Sequence, residues 1–137
     1  MENYLSARFA AKGINEGLAR MITAGFIMPM DPTIEQMADI KTAVSEAVTN
    51  AVIHGYEGNE GEVLLELSYI DNTVTVKITD NGVGIEDIEK AKTPLYTSKP
   101  ECDRSGMGFT VMESFMDSLC VTSKVGSGTT VIMTKQL

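Results

Sequence analysis

The sequence predicts an α+β fold: a two-layer sandwich in which a mixed, mostly antiparallel sheet is covered on one face by helices. Two observations lead there. Strand-patterned segments come in hairpin pairs joined by short turns, around 63–79 and 119–134, and do not alternate with helices. Two amphipathic segments of helical spacing precede them, and together they can cover one sheet face.

The first element reads as a half-buried strand, because Leu5, Ala7 and Phe9 alternate with Ser6 and Arg8. From Ile14 to Met28, the residues Leu18, Met21, Ile22, Gly25 and Phe26 recur at helical spacing. Asp31-Pro32-Thr33 then offers an N-cap with Pro at the first helical position. In the second helix, Ile34, Met37, Ile40, Val44, Ala47, Val48, Ala51 and Val52 are expected toward the core, with an end near His54-Gly55. Next comes a hairpin. Val63 to Tyr69 turns at Asp71-Asn72 into a strand where Val74, Val76 and Ile78 alternate with Thr75, Lys77 and Thr79. A Gly-rich turn, a short acidic helix around Glu86 to Lys92 and an irregular stretch from Thr93 to Ser105 follow. A third helix is expected from near Gly108 through Val111, Met112 and Phe115. The last hairpin runs from Leu119 to Ser123, turns at Val125-Gly126-Ser127-Gly128 and returns through Thr130 to Thr134. No repeat, linker or low-complexity tract divides residues 1–137, so one domain is expected.

The 137 residues suffice for one hydrophobic core, and 43% hydrophobic with 22% charged residues is a globular balance. A net charge of −8 argues against nucleic acid as the main partner, because phosphate backbones are bound through Lys and Arg. Cys102 and Cys120 are too few for a disulfide framework and fit a reduced compartment. The start Met1-Glu2-Asn3-Tyr4 lacks the basic and apolar regions of a signal peptide, and no apolar run approaches the roughly 18 residues of a membrane span. A cytoplasmic location is therefore expected.

Four short patterns carry chemistry. Glu46 and Asn50 stand four apart on the second helix and share a face, with His54 four further on. A carboxylate and an amide so placed suit a hydrated Mg²⁺, although a solvated polar face has the same spacing. Asp80-Asn81-Gly82-Val83-Gly84 follows a strand directly. Its glycines permit a tight turn and close ligand approach, and an ionised Asp can accept from an exocyclic amine; a plain Asp/Asn/Gly turn is the bland alternative. Gly106-Met107-Gly108 precedes the third helix, where backbone N–H groups suit phosphate. It is no Walker A loop, since Phe109 stands where Lys-Ser/Thr would begin. The preceding Pro94-Leu95-Tyr96-Thr97-Ser98-Lys99-Pro100, with Arg104 and Ser105, looks like a hydroxyl-rich basic lid or an ordinary loop. Gly126-Ser127-Gly128-Thr129-Thr130 is first a hairpin turn.

The order of these pieces resembles the GHKL ATP-binding superfamily, which includes histidine-kinase catalytic domains and gyrase. Glu46-Ala47-Val48-Thr49-Asn50 matches its N-box, and Asp80 to Gly84, Gly106 to Phe109 and Gly126 to Thr130 match its glycine boxes. Longer stretches, 44–56, 94–101, 104–109 and 112–117, resemble the anti-sigma serine kinases of endospore-forming bacteria. That resemblance implies a homodimer that holds sigma F inactive with ATP bound and phosphorylates a serine of a small anti-anti-sigma factor. It implies that Asn50 coordinates Mg²⁺, Glu46 takes the serine proton and Asp80 reads the adenine. Thr97 and Ser105, Gly106, Met107, Gly108 and Phe109 would line the phosphates, and His54, Gly82, Gly84 and Thr130 would complete the ATP/ADP site. Arg20 would contact the partners; by itself it reads as a solvated charge. An ATP hydrolase with Glu46 activating water, a non-catalytic ATP sensor, and a stress-response anti-sigma kinase are the competing readings.

Overall fold

The computed structural model describes residues 2–55, 60–82, 109–124 and 126–137. Strand β1 spans Glu2–Ala10, helix α1 Asn15–Ile27 and helix α2 Ile34–Asn50, with a 3₁₀ turn at Met28–Met30 between the helices. A π turn, Ala51–Gly55, continues α2. Strands β2 (Glu62–Ile70) and β3 (Thr73–Asp80), helix α3 (Phe109–Phe115), and strands β4 (Ser118–Lys124) and β5 (Gly128–Gln136) follow.

The five described strands pair antiparallel throughout, in the order β1-β2-β3-β5-β4. Period-two alternation sorts their side chains into two faces. The inner face is built of cross-strand rows: Leu5, Leu67, Val76, Met133 and Leu119 in one, and Ala7, Leu65, Ile78, Val131 and Val121 in the next. These rows pack against Ile40, Ala43, Val44, Ala47 and Val48 of α2 and Phe109 and Met112 of α3. Phe26 of α1 meets Tyr69 at a ring-centroid distance of 5.1 Å. Lys135 ties the layers at one end: its Nζ donates to the Phe115 carbonyl at 2.7 Å and lies 3.6 Å from Asp39 of α2. Among the described residues no helix is long and apolar enough to cross a membrane.

Both helices depart from the sequence reading in instructive ways. The face that α1 buries is Ala19, Thr23, Phe26 and Ile27, whereas Leu18, Met21 and Gly25 are exposed. Small Ala19 and Thr23, the latter satisfied by donating to the Ala19 carbonyl at 2.8 Å, let α1 approach its neighbours closely. Weighting large apolar residues misses such a face. For α2, the cap is Thr33 and not Asp31, which adopts φ 56° one residue before the proline. Thr33 Oγ1 accepts from the Gln36 amide at 3.0 Å while Gln36 Oε1 accepts from the Thr33 amide at 2.8 Å, a reciprocal capping box. Pro32 therefore precedes the cap, and Ile34, expected in the core, points to solvent with 91% of its surface exposed.

Candidate nucleotide site

The inner face changes character at one end of the sheet. The row after Ala7–Val121 reads Phe9, Val63, Asp80, Thr129 and Ser123, so three polar groups continue a hydrophobic surface. Asp80 is 5% exposed. Its Oδ1 accepts from the Gly82 amide at 2.9 Å, which turns the chain sharply out of β3. Burial pushes the Asp80 carboxyl up from its ordinary value of 3.8, and the amides of Gly82 and Thr129 oppose that rise. A buried acceptor held at the end of a strand is suited to a donor from a ligand base.

Gly128 is what lets β5 reach this point. At φ 98° it occupies a left-handed conformation, and a Cβ there would lie 2.0 Å from the Asp80 carbonyl oxygen and 2.7 Å from the Asn81 Cα. The last glycine pair is thus more than a turn. It sets the backbone of Asp80 and Asn81 against the start of β5. Beside it, Thr129 Oγ1 and Ser123 Oγ form a buried hydrogen bond at 2.8 Å.

Helix α2 contributes the second wall. Glu46 and Asn50 stand on one face of its last turns, both half-buried. The Asn50 Nδ2 is buried and has no hydrogen-bond acceptor among the described residues. Leaving such a donor unmet is costly, and phosphate oxygens are suitable acceptors. Beyond Asn50 the helix widens into the π turn, where the Ala51 amide is shared between the Ala47 and Val48 carbonyls. The π turn packs on β3 and β5, the strands that carry Asp80 and Thr129.

The structure places two of the expected ligands away from Asp80's face or with only their backbone accessible. Thr130 pairs with Thr79 and shares that residue's outer face, away from Asp80; strand alternation turns Thr129 inward instead. Val131, Ile132 and Met133 are all apolar, so the sequence leaves the parity open; the fold turns Val131 and Met133 inward, and Thr129 with them. Phe109 begins α3, but its side chain is 1% exposed and fills the core, which leaves only its backbone to a ligand. Gly84, Thr97, Ser105, Gly106, Met107 and Gly108, with the His54 side chain, lie outside the described residues. Arg20 stands apart on α1, exposed and paired through Nε to Glu16 Oε2 at 2.5 Å.

Among the described residues, no three of His, Cys, Asp or Glu cluster as a metal cage.

The histidine kinase-like ATPase domain model matches residues 10–135. The anti-sigma F factor of Clostridium perfringens (strain SM101) is 56% identical, with 100% of this chain and 99% of that protein aligned. The anti-sigma F factor of Clostridium acetobutylicum is 53% identical over 99% of this chain and 95% of its own length. The chain belongs to the anti-sigma F factor family of histidine kinase-like ATPases. The fold of this family is seen in the histidine kinase domain of the Erythrobacter litoralis EL346 blue-light activated histidine kinase. That structure superposes with a TM-score of 0.59 at 22% identity, covering 89% of this chain and 61% of that one. Membership of this family implies that the chain binds a nucleotide.

Proposed function

We propose that this chain binds and inhibits sigma F and, with Mg-ATP, phosphorylates a serine of its anti-anti-sigma factor. The observation that carries the site is the buried Asp80 carboxylate, fixed by Gly82 and walled by Gly128 and Thr129, facing the helix that bears the unmet Asn50 amide. The Clostridium relatives are anti-sigma F factors, which supports the sigma factor as partner.

In this reading Asp80 accepts from the adenine amine, and Thr129 lies beside it. Asn50 and the glycine-rich segment before α3 hold the phosphates. Mg²⁺, when bound, neutralises phosphate charge. The serine hydroxyl oxygen attacks the γ-phosphorus, and the bond to the β–γ bridging oxygen breaks, so ADP leaves with that electron pair. The serine proton passes to the Glu46 carboxylate, whose side chain has no hydrogen bond or ion pair among the described residues. Positioning and charge neutralisation carry most of the rate, because the transition state is loose. A homodimer accompanies this reading. β1 is a nine-residue edge strand with its outer side unpaired among the described strands, a surface open to a second copy.

Incubation with labelled ATP, Mg²⁺ and the anti-anti-sigma factor is the test. Label on the factor's serine is expected, and Asn50→Ala is expected to abolish it. Free phosphate without labelled protein would show a hydrolase, and neither product a non-catalytic ATP sensor. Sedimentation equilibrium should give twice the monomer mass; a monomer at all concentrations removes the dimer.

A further inference from the structure

The polar corner of the sheet holds a hydroxyl whose hydrogen bond has a fixed direction. In the row Asp80, Thr129, Ser123, one residue comes from each of β3, β5 and β4, and Thr129 stands between the other two. Ser123 is 3% and Thr129 8% exposed. Asp80 accepts from the Thr129 backbone amide, as it does from that of Gly82. The Thr129 hydroxyl bonds instead to Ser123 Oγ, at 2.8 Å. Ser123 Oγ in turn donates to the Gly128 carbonyl at 3.2 Å. A carbonyl only accepts and a hydroxyl carries one proton, so the proton between the two side chains belongs to Thr129. Thr129 Oγ1 then has only lone pairs to offer a ligand.

That direction bears on which purine the corner takes. Asp80 alone does not separate 6-amino from 6-oxo purines, because the first offers it an amine N–H and the second its ring N1–H. The group beside Asp80 decides. A hydroxyl free to rotate serves either base, accepting from an amine or donating to a 6-oxo oxygen. A hydroxyl whose proton is held by Ser123 only accepts. Against a 6-oxo oxygen it leaves two buried acceptors facing each other, a mismatch that rejects a base more strongly than shape does. Ser123 also draws the Thr129 proton away from Asp80, the neighbouring acceptor in the row, and so leaves that carboxylate open to the base.

We propose that Ser123 is a positioning residue for base selection: by holding the Thr129 proton, it makes the corner take 6-aminopurine nucleotides and reject 6-oxopurine ones. It acts through Thr129 and touches no ligand itself. Ser123 lies outside all four sequence motifs, on a strand that none of them reaches. The assignment rests on the nucleotide site proposed above.

Calorimetric titration of the full chain with Mg-ATP and with Mg-ITP tests it, with thermal melting as the folding control. The parent should prefer ATP. Ser123→Ala should lower the ATP-to-ITP affinity ratio by about tenfold, mostly through tighter ITP binding. Ser123→Cys, with only a weak S–H donor, should relax the ratio too, and Ser123→Thr, which keeps the hydroxyl, should preserve it. In a Thr129→Val background Ser123→Ala should leave the ratio unchanged, because no proton remains to be held. A Ser123→Ala protein that keeps the parental ratio, or loses both nucleotides equally, overturns the role of Ser123. So does an effect that persists in the Thr129→Val background, or a parent that binds ATP and ITP alike. A parent that binds neither nucleotide overturns the proposed nucleotide site itself, whereas ATP binding with silent Ser123 variants removes only the proton relay.

Discussion

At Asp80 two demands on one side chain conflict. Burial at the end of the inner face raises its pKa, yet only the ionised form is purely an acceptor. The sign of the linkage follows from the raised value. Stability contributed by the protonated form is fully present below about 3.8 and is lost as pH rises through the higher folded-state pKa. Asp80→Asn should therefore melt higher than the parent at pH 7, with the gap closing in acid, while ATP affinity falls by roughly 10–100-fold through loss of a charge-assisted hydrogen bond. A variant that melts no higher at pH 7 would contradict the burial argument. ATP affinity of the parent should also drop on acidification at a higher pH than an ordinary carboxylate requires. The neighbouring threonines give a sharper contrast. Thr129→Val should weaken ATP binding and Thr130→Val should not, because they face opposite sides of β5; equal effects in titration would put the site elsewhere. Asp80, Glu46 and Asn50 were legible as residue types in short patterns. Thr129 was not, because the motif presents two adjacent threonines and only strand parity chooses between them.

At the scale of elements, the starts of α2 and β5 perform different tasks. The start of α2 is fixed by the Thr33–Gln36 capping box, far along the helix from Asn50. Thr33→Ala should cost about 1 kcal/mol in denaturant melts and leave ATP affinity unchanged. The start of β5 is different, because its backbone lies against Asp80 and Asn81. Gly128→Ala adds a Cβ 2.0 Å from a carbonyl oxygen at φ 98°, so it should cost roughly 2–4 kcal/mol and reduce ATP binding as well. A Gly128→Ala protein with parental stability and affinity would refute this close approach. The strands and the hairpin pairing were readable because alternation is local. The buried face of α1 was not, since which stripe of a 13-residue helix turns inward depends on what it packs against.

At the scale of the molecule, the proposed nucleotide site joins parts distant in sequence: α2 with its π turn, β3 and β5. Binding to the folded state alone should raise stability by about 2.7 kcal/mol at a hundredfold excess over Kd. Thermal shift with Mg-ATP measures this, and Asp80→Asn should show little of it. The same scale separates two surfaces. The proposed nucleotide site lies at the inner sheet end, whereas a cavity lined by Arg20 and Lys41 lies between the two long helices, with α2 shared by both.

The sequence by itself determined the class of the fold, the hairpins, the helix that carries Glu46 and Asn50, and the strand end that carries Asp80. These follow from periodicity, turn residues and short motifs, all interactions between near neighbours in the chain. Only the tertiary structure decided that β5 inserts between β3 and β4, and thereby that Thr129 flanks Asp80 while Thr130 does not. It also decided that α2 runs on into a π turn, and that Lys41 and Arg20 line one cavity between two helices. Register, close approach and the pairing of faces are set by contacts between segments far apart in sequence, and no local pattern encodes them.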